Sequence, residues 1–213
     1  KNALGKMHYD AALVSMIQLS NHDHSRFLTR TNGIVGRIGT YKSEDASEGV
    51  ILEVMRQAIM MLVSLPGAPT VYYGDEVGVC GFTDPDNRRT YPWGNENLEL
   101  LEYHRYMNRW HRLRKELKYG SLIKLISKDS IVGYARVFKD SISVIIIHSG
   151  KDRKRIDIPL YLTGMRDNAA ISRVIYTGTS GYNVGIVTYF NDNGHLSMEI
   201  EPDSGYLLVS ENL

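Results

Sequence analysis

Residues 47–74 read SEGVILEVMRQAIMMLVSLPGAPTVYYG, and this stretch decides the fold class. From Ser47, a candidate N-cap, to Ser64 the pattern predicts a helix, and its AIMMLV run is apolar on every side, which indicates burial. The Pro66-Gly67 pair ends the helix. Residues 70–73 are rich in β-forming side chains and predict a short strand. A buried helix that leads directly into a strand is typical of a parallel α/β sheet.

The same alternation continues on both sides of this stretch. Residues 11–19 predict a strand, and the polar, glycine-rich residues 29–49 predict a long loop. Residues 75–97 predict a second irregular stretch, and residues 98–118 predict an amphipathic helix. Its apolar stripe consists of Tyr103, Tyr106, Met107, Trp110, Leu113 and Leu117. The order strand, loop, helix, strand, loop, helix predicts two consecutive βα units.

After Tyr119 the pattern changes. Eight short β-rich runs follow, separated by turn signals, and no helical pattern lies between them. The Asn193-Gly194 pair is a strong hairpin signal, because both residues tolerate positive φ. The runs are 122–127, 131–138, 142–148, 155–158, 171–177, 184–190, 195–200 and 206–210. This half is therefore predicted to be an antiparallel β-sandwich, with a domain boundary between residues 118 and 119.

Composition and charge exclude several classes of function. Lys and Arg number 25 and Asp and Glu 24, so a nucleic-acid partner is not indicated. No apolar run approaches about 18 residues, so no membrane span is expected. Cys80 is the one cysteine. The chain begins with Lys1, without a signal-peptide core, and we expect it to be cut from a longer protein, which leaves localisation open between cytoplasm and secretion.

Two polar clusters follow the two predicted strands. Asn21-His22-Asp23-His24 comes directly after the first, where active-site groups of α/β folds lie. The second cluster, 84–93, reads DPDNRRTYPW and combines acids, arginines and aromatic rings, a mixture that suits polyhydroxylated ligands. The first cluster could instead be a polar loop start whose Asp caps a following turn, and the second a surface loop joined by Asp–Arg pairs. No metal site is expected, because His22 and His24 have no further ligands at metal-binding spacing.

Taken together, these clusters resemble the α-amylase family of glycoside hydrolases. LSNHD (19–23) resembles the fourth sequence region of that family, and GAPTVYYGDEVG (67–78) resembles its segment through the eighth barrel strand. The 84–93 cluster is similar to the loop of neopullulanase, cyclomaltodextrinase and oligoglucosidase-like members, and RLRK (112–115) resembles the end of the last barrel helix. The resemblance extends over nearly the whole chain.

The resemblance implies a fold and a set of roles. Residues 1–118 would be the last two βα units of a (β/α)₈ TIM barrel, and residues 119–213 the C-terminal β-sandwich. In a retaining mechanism Asp23 would be the third carboxylate, which stabilises the transition state. His22, Asp84 and Arg88 would bind an α-glucan oligosaccharide, with no cofactor. Nucleophile and general acid lie upstream of this segment in the family, so we expect the chain to be inactive alone.

Three further expectations remain open at the sequence level. The chain could be a non-catalytic glucan-binding or structural module, in which the sandwich would carry an aromatic platform drawn from Tyr161, Tyr176, Tyr182, Tyr189 and Phe190. It could belong to an α-glucan transglycosylase, because hydrolysis and transfer share the covalent intermediate. Two strands cut from a barrel would also expose edges and apolar surface, which predicts either a homodimer through the barrel remnant or re-packing of the buried helix on the sandwich.

Overall fold

The computed structural model describes residues 6–34, 36–37 and 39–210. Val35 and Ile38, inside the predicted 29–49 loop, lie outside the described residues, as do 1–5 and 211–213. The α-helices are α1 (Tyr9–Val14), α2 (Phe27–Arg30), α3 (Leu52–Ser64), α4 (Leu98–Leu113) and α5 (Lys115–Tyr119). The strands are β1 (Met16–Gln18), β2 (Ala68–Thr70), β3 (Ser121–Lys128), β4 (Ile131–Phe138), β5 (Ser141–His148), β6 (Lys154–Pro159), β7 (Ala170–Gly178), β8 (Gly181–Asn183), β9 (Val187–Phe190), β10 (His195–Ile200) and β11 (Ser204–Ser210). None of the described helices is long and apolar enough to cross a membrane.

The first two strands pair in parallel, as the sequence predicts. Met16 lies opposite Ala68 and Gln18 opposite Thr70, and within the described residues neither strand has another neighbour. The predicted strand over 11–19 is wrong in its first part, because residues 9–14 form helix α1. Its Ala-Ala-Leu core favours a helix more than a strand. The second strand lies two to three residues earlier than the predicted 70–73.

Two predicted helices have different ends in the structure. Ser47 ends a 3₁₀-helix rather than capping α3, which begins at Leu52. The helix predicted over 98–118 is broken at Arg114, where the backbone is extended and the guanidinium Nε donates to the Glu116 carboxylate at 2.5 Å. Leu113, the last residue of α4 before the break, is 63% exposed instead of buried, whereas Leu117 beyond the break is buried as predicted.

The second half consists of antiparallel strands in two sheets. The larger sheet has the order β3-β4-β5-β11-β7-β8, with β9 also paired to β7, and the smaller one consists of β6 and β10. Antiparallel pairing, as predicted, is confirmed for these strands. The predicted run over 184–190 is wrong in its first part, because only Val187–Phe190 forms a strand, β9, and β8 ends before the run begins. Side chains of both sheets share one apolar cluster, in which Ile146 of the larger sheet meets Ile158 and Leu196 of the smaller.

The opposite face of the larger sheet packs on the helices. Met55 and Ile59 of α3 form one core cluster with Tyr103 of α4 and with Ile145 and Leu207 of the sheet. Helix α3 is therefore buried between α4 and the sheet, which explains its apolar circumference.

Candidate functional site

The first polar cluster forms a tight turn after β1. The side-chain Oδ1 of Asn21 accepts hydrogen bonds from the backbone N–H of Asp23 at 2.9 Å and of His24 at 3.2 Å. Such a turn closed by an asparagine side chain fixes the backbone without using a strand or helix. The Nε2 of His22 lies 3.3 Å from Oδ1 of Asp23. The Asp23 side chain is 67% exposed and available to a ligand.

The second cluster forms a loop that carries Asp84 and Arg88. The Arg88 guanidinium donates to the Asp84 carboxylate, and both side chains are half-exposed. This hydrogen bond is the main cause that raises the pKa of Arg88, and the Asp23 carboxylate raises it further in a smaller measure. Asp23 is thus close enough to Arg88 for the two charges to interact, which links the two sequence-predicted clusters.

Asn87 joins the two clusters directly. It is fully buried, and its Nδ2 donates to the backbone carbonyls of His24 at 2.9 Å and Asn21 at 3.3 Å. These carbonyls lie on both sides of His22 and Asp23. One amide therefore holds the turn with the candidate catalytic carboxylate against the loop with Asp84 and Arg88.

Arg26 lies beneath this junction and is also fully buried. Its Nε donates to the carbonyl of Asn87 at 2.9 Å and its Nη1 to the carboxylate of Asp75 at 3.0 Å. The guanidinium carbon lies 4.2 Å from the ring centre of Tyr72 and 4.8 Å from that of Tyr73, within the range of cation–π attraction. A single cation thus connects the turn after β1 to both parts of the segment after β2.

The Asp75 carboxylate has a raised pKa, because its burial outweighs the hydrogen bonds from Ser20 and Arg26. The opposite holds for Asp86. Burial alone would raise the pKa of Asp86, but hydrogen bonds from Arg89, Ser43 and the Phe82 backbone N–H lower it. Asp86 is therefore an ionised anchor that shapes the 82–89 loop from within.

Gly81 permits the close approach of this loop to the Arg26 segment. A Cβ at Gly81 would lie 2.7 Å from the Asp86 carbonyl oxygen and 2.8 Å from the Cα of Asn87. The Gly81 carbonyl accepts the Arg26 N–H at 2.9 Å, and its N–H donates to the Thr29 hydroxyl at 2.9 Å. Any side chain at this position would separate the two site loops.

Aromatic rings border the same loop. Tyr91 and Trp93 have ring centres 4.4 Å apart, and Trp93 is largely exposed. Carboxylate, imidazole and guanidinium groups bind hydroxyls, while aromatic faces cover the apolar side of a sugar ring. The described residues hold no group of three or more His, Cys, Asp or Glu placed to share a metal ion. The arrangement is suited to a neutral polyhydroxylated ligand.

Sequence reasoning identified the exposed residues and missed the buried ones that position them. His22, Asp23, Asp84 and Arg88 were predictable because they follow strands in polar clusters. Asn87 belongs to the second cluster and Arg26 follows the first by two residues, but their role depends on contacts between segments 61 residues apart. No local pattern contains that information.

Comparison with known proteins shows the family. The model "Alpha amylase, catalytic domain" matches residues 1–155. An amylopullulanase of Thermoanaerobacterium thermosulfurigenes is 28% identical over 211 residues, which cover 93% of this chain and 11% of the relative. A cyclomaltodextrinase of Thermoanaerobacter pseudethanolicus is 30% identical over 152 residues, which cover 70% of this chain and 24% of the relative.

Solved structures share the fold. A debranching enzyme from Nostoc punctiforme aligns with a TM-score of 0.71 and 22% identity, over 96% of this chain and 37% of its own. An α-amylase from Geobacillus thermoleovorans, complexed with acarbose, aligns with a TM-score of 0.74 and 19% identity, over 98% of this chain and 41% of its own. The chain thus spans well under half the length of these proteins. It belongs to the α-amylase family of glycoside hydrolases.

Proposed function

We propose that this chain is the C-terminal portion of a retaining α-glucan hydrolase that acts on α-glucosidic bonds of starch-type oligosaccharides. The observation that carries the proposal is the junction at Asn87, which holds the His22–Asp23 turn against the loop with Asp84 and Arg88. Four exposed groups that can bind sugar hydroxyls thereby share one area. Relatives named amylopullulanase and cyclomaltodextrinase support the substrate class.

Asp23 is the catalytic residue that this chain supplies. Its carboxylate binds ring hydroxyls of the sugar whose glycosidic bond breaks, and these hydrogen bonds strengthen as positive charge develops in the oxocarbenium-like transition state. Only interactions that are stronger in the transition state than in the ground state raise kcat. His22 binds the same sugar, while Asp84 and Arg88 hold the glucose at the closed end of the cleft.

The chain does not complete the reaction alone in this proposal. Retaining hydrolysis needs a nucleophile and a general acid about 5–5.5 Å apart. Family resemblance assigns both to barrel strands upstream of residue 19. Residues 1–118 are then the last two βα units of the (β/α)₈ barrel and residues 119–213 the C-terminal sandwich, in keeping with the 11–24% of its curated relatives that the chain spans.

The test compares two proteins on the same substrates. The full-length parent is expected to release reducing sugar from maltooligosaccharides and pullulan, with retention of the anomeric configuration in the first product seen by NMR. This chain alone is expected to release none at equal molarity. Hydrolysis by the chain alone, or an inverted first product from the parent, would contradict the proposal.

Transglycosylation is the second candidate, because a cyclomaltodextrin glucanotransferase of Bacillus sp. is 23% identical over 148 residues of this chain. Both reactions pass through a covalent intermediate and differ in whether water or a sugar hydroxyl attacks it. Product analysis with maltotriose separates them. Products longer than maltotriose in early turnover would assign transfer, whereas glucose and maltose alone would assign hydrolysis.

A further inference from the structure

A groove lies on the sandwich, where the smaller sheet leaves part of the larger one uncovered. The two-stranded sheet pairs β10 with β6, while the larger sheet extends beyond it to β7 and β9. A cavity of about 370 Å³ occupies this step, lined by Arg173, Tyr176, Tyr189, Glu199, Glu201 and Tyr206. A second cavity of about 380 Å³ shares Arg173 and Tyr176 with the first and adds Ser180, Tyr182 and Asn183. We call these two neighbouring cavities, which share Arg173 and Tyr176, the groove.

Aromatic rings form the base of the groove. Tyr206 is buried, and its ring centre lies 5.2 Å from that of Tyr176. The guanidinium of Arg173 lies 5.9 Å from the Tyr176 ring centre. Tyr189 lies on the neighbouring strand, packed at the border of the apolar cluster and partly exposed. Tyr176 and Tyr189 thus offer partly exposed ring surface, while Tyr206 beneath them is buried and its hydroxyl accepts the Glu201 N–H at 2.8 Å.

The charges along the groove balance. Arg153 donates to Glu201 at 2.8 Å and lies 3.9 Å from Glu199, and Arg173 supplies a second positive charge. The Nη2 of Arg173 donates to the Gly185 carbonyl at 3.2 Å, while its Nε is buried with no hydrogen-bond partner among the described residues. A groove with paired charges and aromatic surface favours a neutral ligand rich in hydroxyls over an ionic one.

We propose that this groove binds an α-glucan chain at a site separate from Asp23. The tyrosines and the balanced charges indicate a neutral oligosaccharide. That this oligosaccharide is an α-glucan rests on the proposed function. Sugar rings stack on Tyr176 and Tyr189, and their hydroxyls bond to Glu199, Glu201 and Arg173. The groove holds a long substrate while the barrel site acts on one of its bonds.

Calorimetric titration of this chain with maltoheptaose tests the proposal. Tyr189→Ala is expected to raise the Kd about tenfold, the loss of one aromatic stacking contact. Phe190→Ala is the matched control, because Phe190 is the next residue on the same strand, is 68% exposed and does not line the groove. Its Kd is expected to stay within about twofold of the wild type. Glu199→Gln, at an exposed position, is the second groove variant and is expected to weaken binding about threefold.

Asp23→Asn separates the two sites. Binding that persists in Asp23→Asn and weakens in Tyr189→Ala supports the groove. Binding that disappears in Asp23→Asn but is unchanged in the groove variants overturns it and leaves the proposed function intact. No heat from millimolar maltoheptaose, or equal losses in Tyr189→Ala and Phe190→Ala, also overturns the groove. If Tyr189→Ala does not fold, as judged by circular dichroism, Glu199→Gln decides, and an unchanged Kd there overturns the proposal.

Discussion

The two halves of this molecule hold their shape in different ways. The loops after β1 and β2 are fixed by a few buried polar side chains, chiefly Arg26 and Asn87, because their two strands are three residues long. The sheets beyond residue 120 are fixed by repeated strand pairing and two apolar clusters. Site geometry therefore depends on single residues, whereas the sheets distribute their stability over many.

The largest effect is expected at Arg26. Arg26→Met leaves the buried carboxylate of Asp75 without its cation and should lower the free energy of unfolding by about 3–5 kcal/mol. Urea unfolding followed by tryptophan fluorescence measures this, since both tryptophans, Trp93 and Trp110, lie in the first half. Arg88→Met removes a half-exposed ion pair and should cost less than about 1 kcal/mol.

The sheets supply the contrast for that experiment. Ile145→Val, at a fully buried position of β5, should cost about 1 kcal/mol. If Ile145→Val lowered the free energy of unfolding more than Arg26→Met does, the comparison between the two halves would be reversed.

A pH effect of about 3 kcal/mol is expected from His104. Burial is the main cause that lowers its pKa to about 4 from an ordinary 6.5, and the hydrogen bond to the Leu100 carbonyl opposes the shift. As the pH falls, the unfolded chain therefore binds a proton at His104 at a higher pH than the folded chain does. The contribution of His104 to stability is complete above pH 6.5 and is lost as the pH falls towards 4. The size follows from about 2.5 pKa units at 1.36 kcal/mol each.

Urea titrations at pH 7 and pH 4.5 measure this dependence. In His104→Gln the part of the pH dependence contributed by His104 should disappear. An equal pH dependence in wild type and His104→Gln would show that another group is responsible.

Asn87→Asp tests the junction between the site loops. The new carboxylate oxygen would face the carbonyls of Asn21 and His24 in place of an amide donor, at a cost of about 2 kcal/mol. Hydrogen exchange of the Asp23 and His24 amides should accelerate, because the turn is no longer held. Asn108→Asp makes the same chemical change at an exposed position of α4 and should alter neither the stability nor the exchange rates. Unchanged exchange of the Asp23 and His24 amides in Asn87→Asp would argue against the junction.

The last expected effect concerns self-association. Val14 and Met16 are exposed beside the open edge of β1, and Met16 is 63% exposed, so the chain is expected to form a homodimer through this surface. Met16→Lys should raise the dimer Kd about tenfold, or about 1.4 kcal/mol. Light scattering over a concentration series measures the dimer Kd. A wild-type chain that stays monomeric at all concentrations would contradict the prediction.

The parts of the fold that could be predicted from the sequence are those with a local sequence signal. The runs 131–138 and 195–200 coincide with β4 and β10, because apolar alternation and hairpin turns are local signals. Of the run over 184–190 only Val187–Phe190 is a strand, after a stretch in which the Gly185 N–H donates to the Asn183 side chain. Helix α4 ends at Leu113, before Arg114 and its pair with Glu116. These breaks depend on particular side-chain bonds, which periodicity does not contain.

The candidate site could be predicted in part, for a related reason. His22, Asp23, Asp84 and Arg88 are exposed groups whose residue types indicate a ligand, so their clusters could be found from the sequence. The way the clusters meet could not, because it requires Arg26 and Asn87 to be buried between segments distant in the chain. Tertiary contacts of this kind are visible only in coordinates.

The most direct test of the central claim is the kcat of Asp23→Asn in the full-length parent, measured on maltotriose. We expect kcat to fall at least about a hundredfold, the usual effect of removing one group that stabilises a transition-state charge. Asp140→Asn, an exposed carboxylate in the turn between β4 and β5, is the matched control and should keep the wild-type kcat. A wild-type kcat in Asp23→Asn would contradict the assignment of Asp23.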